Sequence, residues 1–285
     1  MNLNRKIKQI AGFALLRISI SITVLFLAIF LYILFSRGLP VLSWEFLTAA
    51  PRKFMTAGGI FPAIVGTLYL TLLSVTIALP FGVLTAIYLT TYASPKWLVR
   101  VIRIANNTLA GVPSIIFGLF GMAIFVQLFK FDVSILSGSL TLAVLILPVI
   151  INASEEAIKQ VPDDFRSASL ALGATESQTL FRIILPAAFP NILTGTIISI
   201  GRVAGETAPI LFTAATFYTR KLPGSIFDEV MALPYHIYAL LTEGIHPEEQ
   251  VPIAYGTAVT LLLLVLSITL AAIIIRYNIR KKKKW

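Results

Sequence analysis

The stretch that decides the fold is NASEEAIKQVPDDFRSASLALGATESQTLFRIILP, residues 152–186. It is a polar island in an otherwise apolar chain, with acids, bases and a central Gly173. The runs on both sides are long and apolar enough to cross a bilayer, for which a helix needs about 20 residues. The pattern therefore predicts a water-exposed helical hairpin between membrane spans, a place where a soluble partner can push on a membrane protein.

The composition indicates lipid as the solvent for most of the chain. Of its 285 residues, 57% are hydrophobic and 13% are charged, and the mean hydropathy is +0.89. A soluble domain of this length could not bury so much apolar surface, so we expect an all-α, polytopic integral membrane protein with about six transmembrane helices, forming one domain over residues 1–285. The predicted spans are residues 13–35, 61–91, 107–129, 133–151, 191–216 and 251–275.

Charge sets the predicted orientation of these spans. Sixteen Lys and Arg residues fall on the side of the N-terminus, the 93–106 loop, the polar island and the C-terminal tail, against six on the other side. The positive-inside rule therefore places both termini and the island in the cytoplasm of a bacterial plasma membrane. The net charge of +10 lies mostly beside spans, where topology and anionic membrane lipid explain it better than nucleic acid does.

The other chemistry-bearing residues exclude several kinds of site. The chain contains no Cys, which rules out disulfides and thiolate metal ligands. It also lacks the Gly-rich GxxxxGK[ST] loop that holds nucleotide phosphates, and no nucleophile–base constellation stands out. We therefore expect a non-enzymatic protein without a cofactor or bound metal.

The first half of the island carries helix signals. Asn152 followed by Glu155 suggests a capping box, and Asp163 is suited to cap a helix that runs to about Leu172. Gly173 then stands where a helix end often needs a left-handed residue. In the outer 217–250 loop, two short helices are expected near 226–233 and 235–241, separated by Pro234.

The second half of the island predicts another helix. Thr175 and Gln178 form a capping-box pattern that opens a helix to about Leu185, which Pro186 should stop or redirect. Apolar and small side chains recur at helical spacing in both halves of the hairpin. They are Phe165, Ala168, Leu172, Leu180, Phe181, Ile184 and Leu185. Local physics leaves two interpretations open, a loop packed on its own membrane domain and a docking surface.

The spacing of the island resembles the integral-membrane permeases of bacterial ABC importers. Their signature is Glu-Ala-Ala, three residues, Gly, nine residues and Ile-x-Leu-Pro. Here Ser167-Ala168-Ser169 opens the stretch, Gly173 follows at the matching distance, and Ile-Ile-Leu-Pro closes it at 183–186. The resemblance implies that this cytosolic coupling loop, within 152–186, sits in a groove of a separate ATPase. The coupling residues would be Ala168, Gly173, Leu180, Phe181, Ile183, Leu185 and Pro186.

Arg202 and Glu206 are the only charged residues deep inside a predicted span, where an ionised group costs at least about 2.5 kcal/mol. Eleven residues after the start of that span, Arg202 is expected near the bilayer centre. The two side chains can pair along one helical face, and Gly201 and Gly205 allow close approach of a helix or solute. The pair is either a structural ion pair or an anion station in the substrate pathway, since a guanidinium fork suits an oxyanion.

Three further blocks resemble the phosphate permeases of the PstA and PstC type. They are GGIFPAIVGTL at 58–68, GVPSIIFGL at 111–119 and GETAPILFTA at 205–214, the last being most like PstA. The resemblance implies a permease subunit that moves inorganic phosphate by ATP-driven alternating access. It also implies three partners: a PstC-type permease subunit, a PstB-type ATPase dimer and an external PstS-type phosphate-binding protein. The alternatives are a permease for sulfate or molybdate, a secondary transporter that works without ATP, and a sensor without flux.

Overall fold

Long helices built from the apolar runs dominate the computed structural model, which describes residues 3–282. Of the basic residues used in the topology prediction, Lys283 and Lys284 lie outside the described residues, and only the backbone is described for Arg5, Lys6, Lys8 and Lys282. The helices are α1 (Leu3–Gly38), α2 (Trp44–Thr48), α3 (Phe61–Ile87), α4 (Lys96–Gly111), α5 (Ser114–Gly121), α6 (Ile135–Lys159), α7 (Asp163–Ala171), α8 (Glu176–Thr179), α9 (Leu185–Ala204), α10 (Ala208–Leu211), α11 (Leu233–Thr242) and α12 (Pro247–Lys282).

Shorter elements complete this frame. Three π-helical turns extend α3, extend α5 and join α8 to α9; they are Tyr88–Tyr92, Met122–Leu128 and Leu180–Ile184. Two 3-10 turns follow α1 and precede α3, at Leu39–Val41 and Lys53–Met55. The strands β1 (Pro51–Arg52) and β2 (Ala57–Gly58) form a two-stranded antiparallel ladder.

The predicted fold class is confirmed. Within residues 3–282, five helical stretches are long and apolar enough to cross a membrane, and a bent pair of helices makes up to six. The five are Gly12–Val41, Phe61–Tyr92, Ile135–Lys159, Glu176–Ala204 and Pro247–Lys281. They match the first, second, fourth, fifth and sixth predicted spans, with differences at their ends.

The third predicted span, 107–129, is wrong in its shape. Residues assigned to the 93–106 loop form most of α4, and α4 meets the α5 segment Ser114–Leu128 at a bend of 111°. Pro113 explains the break, because the residue before a proline is disfavoured in helical conformation. Val112 accordingly takes an extended ψ of 132°.

The fifth predicted span, 191–216, is displaced along the chain. Its helix starts earlier and ends at Ala204, and residues 205–207 separate α9 from the single turn of α10. A kink of this helix at Pro209, which the sequence also suggests, is therefore absent, since the helix has ended before this proline. Pro209 instead lies in the first turn of α10, where its missing N–H costs no intrahelical bond.

Two local predictions fail outside the spans. Asn152 and Glu155 do not form a capping box, because both lie inside α6, where packing continues the helix to Lys159. The predicted helix at 226–233 is absent; instead Val230 pairs with Ala215 in a β-bridge. The second outer helix is confirmed as α11, and Pro234 stands in its first turn rather than between two helices.

The packing centre of the fold is α6. In its most apolar window 67% of the residues are buried, against 6% for α1 and 11% for α12. Three neighbouring helices bring a glycine against it: Gly82 of α3 faces Ile150, Gly195 of α9 faces Ala153, and Gly121 of α5 faces Thr141. A side chain at any of these glycines would overlap α6, so close backbone approach is what holds the bundle together.

Candidate functional site

The hairpin predicted from the polar island is present as α7 and α8, and we call residues 163–184 the elbow. Gly173 has a φ of +82°, a left-handed conformation that costs other residues roughly 1–2 kcal/mol. Thr175 and Gln178 form the predicted capping box. Asp163 and Asp164 lie in the first turn of α7, where the helix dipole stabilises carboxylates. The N-cap position of α7 is Pro162, which makes no side-chain cap, rather than the predicted Asp163.

Side-chain contacts tie the two halves of the elbow together. The hydroxyls of Ser169 and Thr179 are buried and lie 2.8 Å apart. On the outer surface, the Arg166 guanidinium donates to the Glu176 carboxylate at 2.7 Å. The buried hydrogen bond defines the helix pairing more than the exposed ion pair does, because exposed pairs contribute about 0–1 kcal/mol.

The helix that leaves the elbow does not stop at Pro186, contrary to the prediction. Residues Glu176–Ala204 form one continuous helical stretch, and the π-helical turn precedes the proline. In this turn the Leu185 N–H bonds to the Leu180 carbonyl, five residues back. The wider turn relieves the clash that a proline ring makes with the preceding helical turn, so the chain continues as a rod.

The predicted coupling residues, together with Leu172 and Ile184 of the hairpin's apolar surface, differ in exposure. Leu180 is fully buried and Ile184 is buried, so both fix the elbow to the α3–α6 core. Phe181 is 54% exposed and Leu172 is 89% exposed. Leu172 lies outside the helical stretches that could cross a membrane, so its exposed apolar side chain is suited to contact a partner. Ala168 and Gly173 are also exposed, whereas Ile183, Leu185 and Pro186 are half-buried.

At the other end of α9, Arg202 and Glu206 form the predicted pair. The Arg202 Nε and Glu206 Oε1 atoms are 3.5 Å apart, and the two side chains are 42% and 16% exposed. The prediction placed Arg202 in mid-helix, but it lies in the last turn of α9, and Glu206 lies in the break before α10. The negative end of the helix dipole favours the arginine there.

The two glycines beside this pair leave open space. A Cβ atom at Gly201 would meet nothing within 4 Å, and one at Gly205 would meet only backbone oxygens at 3.8 and 3.9 Å. In this single chain, therefore, the helix face that carries Arg202 is accessible to a solute or to another subunit.

A small cavity next to Glu206 contains a residue that the sequence did not single out. Its volume is about 10 Å³, and Thr67, Thr71, Leu142 and Glu206 are among its lining residues. This is close to the space of one water molecule. Thr71 is 1% exposed, and its hydroxyl has no hydrogen-bond partner among the described residues.

The Thr71 hydroxyl differs from its neighbours in α3. The Thr67, Ser74 and Thr76 hydroxyls each donate to the carbonyl four residues earlier, at 2.8, 2.5 and 2.7 Å, as is usual for hydroxyls inside helices. Thr71 makes no such bond. An orphaned buried hydroxyl is rare in folded proteins, and this one borders the Glu206 cavity.

Helix α11, whose Pro234 also lines the Glu206 cavity, carries a buried histidine. Burial lowers the pKa of His236 to about 4, so the imidazole is neutral at ordinary pH. Its Nδ1 atom has no hydrogen-bond partner within residues 3–282, and no group of three or more potential metal-ligating residues occurs in that part of the chain.

Comparisons with known proteins identify a family and relatives of this chain. Residues 78–284 match the family described as "Binding-protein-dependent transport system inner membrane component". The "Phosphate transport system permease protein PstA 1" of Mycobacterium tuberculosis is 38% identical over 82% of this chain and 74% of its own length. The "Probable phosphate transport system permease protein PstA" of Methanocaldococcus jannaschii is 36% identical, with 81% and 80% covered.

Solved structures share the fold at low sequence identity. A bacterial ABC transporter that imports the acidic polysaccharide alginate superimposes with a TM-score of 0.65 and 18% identity, covering 96% of this chain and 99% of that one. The MetNI methionine ABC transporter in an inward-facing conformation superimposes with a TM-score of 0.59 and 21% identity, covering 78% of this chain and 94% of that one.

The fold is thus that of a membrane-spanning subunit of an ABC importer. The chain belongs to the family of binding-protein-dependent transport system inner membrane components, and the predicted resemblance to PstA-type permeases is confirmed. It is a multi-pass inner-membrane transport subunit. Such a subunit works with a substrate-binding protein, an ATPase and another permease subunit.

We predict that Gly173→Ala loosens the elbow locally. The added Cβ has no atom within 4 Å to clash with, so only the left-handed backbone opposes it, by roughly 1–2 kcal/mol. Amide hydrogen exchange across residues 163–184 of the assembled importer should become about tenfold faster. Gly111→Ala is the matched control, since its Cβ also meets open space and its φ is not left-handed; equal exchange in both variants would contradict the prediction.

Proposed function

We propose that this chain is the permease subunit of an ATP-driven phosphate importer, moving inorganic phosphate across the bacterial plasma membrane by alternating access. Its partners would be a PstC-type permease subunit, a PstB-type ATPase dimer and a PstS-type binding protein. Residues 1–285 would act as one permease domain, with the coupling loop at 152–186 and both termini in the cytoplasm. The relatives named as phosphate permeases support the substrate.

The observation that carries the mechanism is the continuous helical stretch Glu176–Ala204. One end of this stretch belongs to the elbow and the other end holds Arg202. A helix of 29 residues is about 43 Å long at 1.5 Å per residue. A continuous helix of this length can transmit a displacement of the elbow to the Arg202 site, which is the requirement for coupling ATP hydrolysis to alternating access.

The elbow would dock on the ATPase through its exposed apolar side chains. Phe181 and Leu172 supply exposed apolar area on the elbow, and aromatic anchors dominate the energetics of protein interfaces. Leu180 and Ile184 have the complementary role, because burial against the core lets them carry the force inward. The Arg166–Glu176 ion pair holds the outer surface of the hairpin in register.

At the far end of the rod, Arg202 would bind the oxyanion. Its guanidinium is 42% exposed beside two glycines with open surroundings, and its donors form a rigid fork that matches a tetrahedral anion. Glu206 keeps the arginine oriented and accepts a hydrogen bond from a protonated phosphate. Sulfate has no proton to donate at neutral pH, so the same carboxylate repels it. The Thr71 hydroxyl would donate to Glu206 across the small cavity and keep that carboxylate an acceptor.

We predict that Phe181→Ala combined with Leu172→Ala uncouples the permease from its ATPase. Loss of an interface anchor costs more than about 1–2 kcal/mol, so co-purification of the ATPase and phosphate uptake should both fall roughly tenfold. Phe30→Ala is the control, since it removes a similarly exposed aromatic, 53% against 54% for Phe181, from α1, far along the chain from the elbow. Full ATPase retention by the double variant would refute the docking surface.

Removal of the Arg202 charge should abolish phosphate uptake. In reconstituted importer, we expect Arg202→Gln to reduce uptake by at least a hundredfold, because a charged hydrogen-bonding partner of the anion is lost. Arg202→Lys should retain partial uptake, since it keeps the charge but lacks the fork. Normal uptake by Arg202→Gln in a correctly assembled complex would exclude the anion station and favour a structural ion pair.

Thr71 and Glu206 should govern discrimination against sulfate. In competition uptake with labelled phosphate, Glu206→Gln and Thr71→Val should each let sulfate compete about tenfold more strongly, because the acceptor of the phosphate proton is lost or weakened. Thr71→Ser keeps the hydroxyl and should behave like the wild type. If Thr71→Val transports and discriminates normally, the hydroxyl has no part in selectivity.

A further inference from the structure

Helix α4 has three distinct faces. Leu98, Ile102, Asn106 and Leu109 recur at steps of four, four and three residues and are buried or half-buried against the bundle. A second stripe at the same spacing is basic and exposed: Lys96, Arg100 and Arg103, followed by Asn107. The third stripe is exposed although it is largely apolar: Trp97, Val101, Ile104 and Thr108.

One residue of the basic stripe and one of the first face bind α6 by polar contacts. The Arg103 guanidinium donates two hydrogen bonds to the Glu155 carboxylate, with N–O distances of 2.8 and 3.4 Å. The Asn106 side-chain amide donates to the Asn152 side-chain oxygen at 2.7 Å. Glu155 is 7% exposed, and its carboxylate also accepts a hydrogen bond from the Lys159 ammonium group at 2.6 Å. These bonds fix the rotation of α4 about its own axis, and therefore fix which side chains it presents outward.

The bend of 111° to the α5 segment sets the direction of α4. When α5 crosses the membrane, a bend this close to a right angle lays α4 along the membrane surface. The exposed stripe contains Trp97, Val101 and Ile104, at 66%, 52% and 59% exposure. The basic stripe adjoins it, and α4 has no acidic residue.

We propose that α4 is an in-plane helix that binds the anionic phospholipid surface on the elbow side of the membrane. The apolar stripe would lie among the acyl chains, with Trp97 at the headgroup level, while Lys96 and Arg100 bind the phosphates. Tryptophan and basic side chains at the edge of an apolar stripe are the pattern of interfacial helices. A partner protein would have to cover an apolar stripe edged by positive charge, whereas an anionic bilayer offers both matching chemistries.

The proposed lipid contact of α4 is connected to the elbow through Arg103 and Glu155. Arg103 belongs to the basic stripe and holds Glu155, which lies in the last two turns of α6. Only residues 160–162 separate the end of α6 from α7. Anionic lipid on α4 therefore stabilises the base on which the elbow moves, and the importer should work faster in anionic than in neutral membranes.

Photo-crosslinking in the assembled importer tests the occupant of the apolar stripe. Benzoylphenylalanine replaces Trp97 in one variant and Leu172 in a control, in liposomes of phosphatidylcholine with phosphatidylglycerol. We expect position 97 to give adducts with the mass of a phospholipid and position 172 to give adducts with protein. A protein adduct as the main product at position 97 would overturn the proposal.

A second measurement uses the basic stripe and does not depend on which solute is carried. Lys96→Gln combined with Arg100→Gln should weaken binding of phosphatidylglycerol roughly 30-fold, which corresponds to about 1 kcal/mol for each charge. The ratio of ATPase rates in anionic and neutral liposomes should fall from severalfold toward one. Arg220→Gln with Lys221→Gln, which removes two exposed charges from the 217–250 loop, should leave the ratio unchanged. An unchanged ratio in the α4 variant would overturn the proposal.

Discussion

Close backbone approach to α6 is the constraint on which the rest of this structure depends. Lipid removes most of the hydrophobic force between helices, so they associate through tight packing of small residues. Gly82, Gly121 and Gly195 meet this need from three different helices. Because these contacts lie along the length of α6, they seat α3, α5 and α9 in one arrangement and bring the elbow and the Arg202 site into the same body.

Two helices then divide the mechanical roles. Helix α6 is held at its end by Glu155, which receives both Arg103 and Lys159. The stretch Glu176–Ala204 has a free helical face near Arg202 and an exposed apolar hairpin at its start. A fixed helix beside a long rod is an arrangement that would turn a push on the elbow into a displacement at the proposed anion site, and helix α4, in its proposed contact with lipid, would brace the fixed side.

Much of the elbow could be predicted from sequence because its signals are local. The left-handed Gly173 and the Thr175–Gln178 capping box need only neighbouring residues to form, and both are present. The reading of Asn152 with Glu155 as a cap was wrong for the opposite reason. Asn152 binds Asn106 and Glu155 binds Arg103. A local sequence pattern cannot predict contacts between residues about 50 positions apart along the chain.

Prolines and hydroxyls show the same limit. In the sequence, Pro186 predicts the end of a helix, but a π-helical turn before it accommodates the proline ring, and the helix continues. In the sequence, Thr71 is one of several hydroxyl residues in an apolar span. Only the packed structure shows that its hydroxyl makes no bond to its own helix and lies at the edge of the Glu206 cavity. Helix bending and side-chain rotation are settled by neighbours, which sequence periodicity does not encode.

By itself the sequence determined the membrane class, the approximate spans, the helix–glycine–helix hairpin and the Arg202–Glu206 pair, because hydropathy, caps and i, i+4 spacing are properties of short segments. Only the tertiary structure decided where α9 ends, that α4 bends away from α5, which elbow side chains stay exposed, and that Thr71 lies beside Glu206. Those outcomes depend on which distant surfaces meet, and packing between helices fixes them after the local segments have formed.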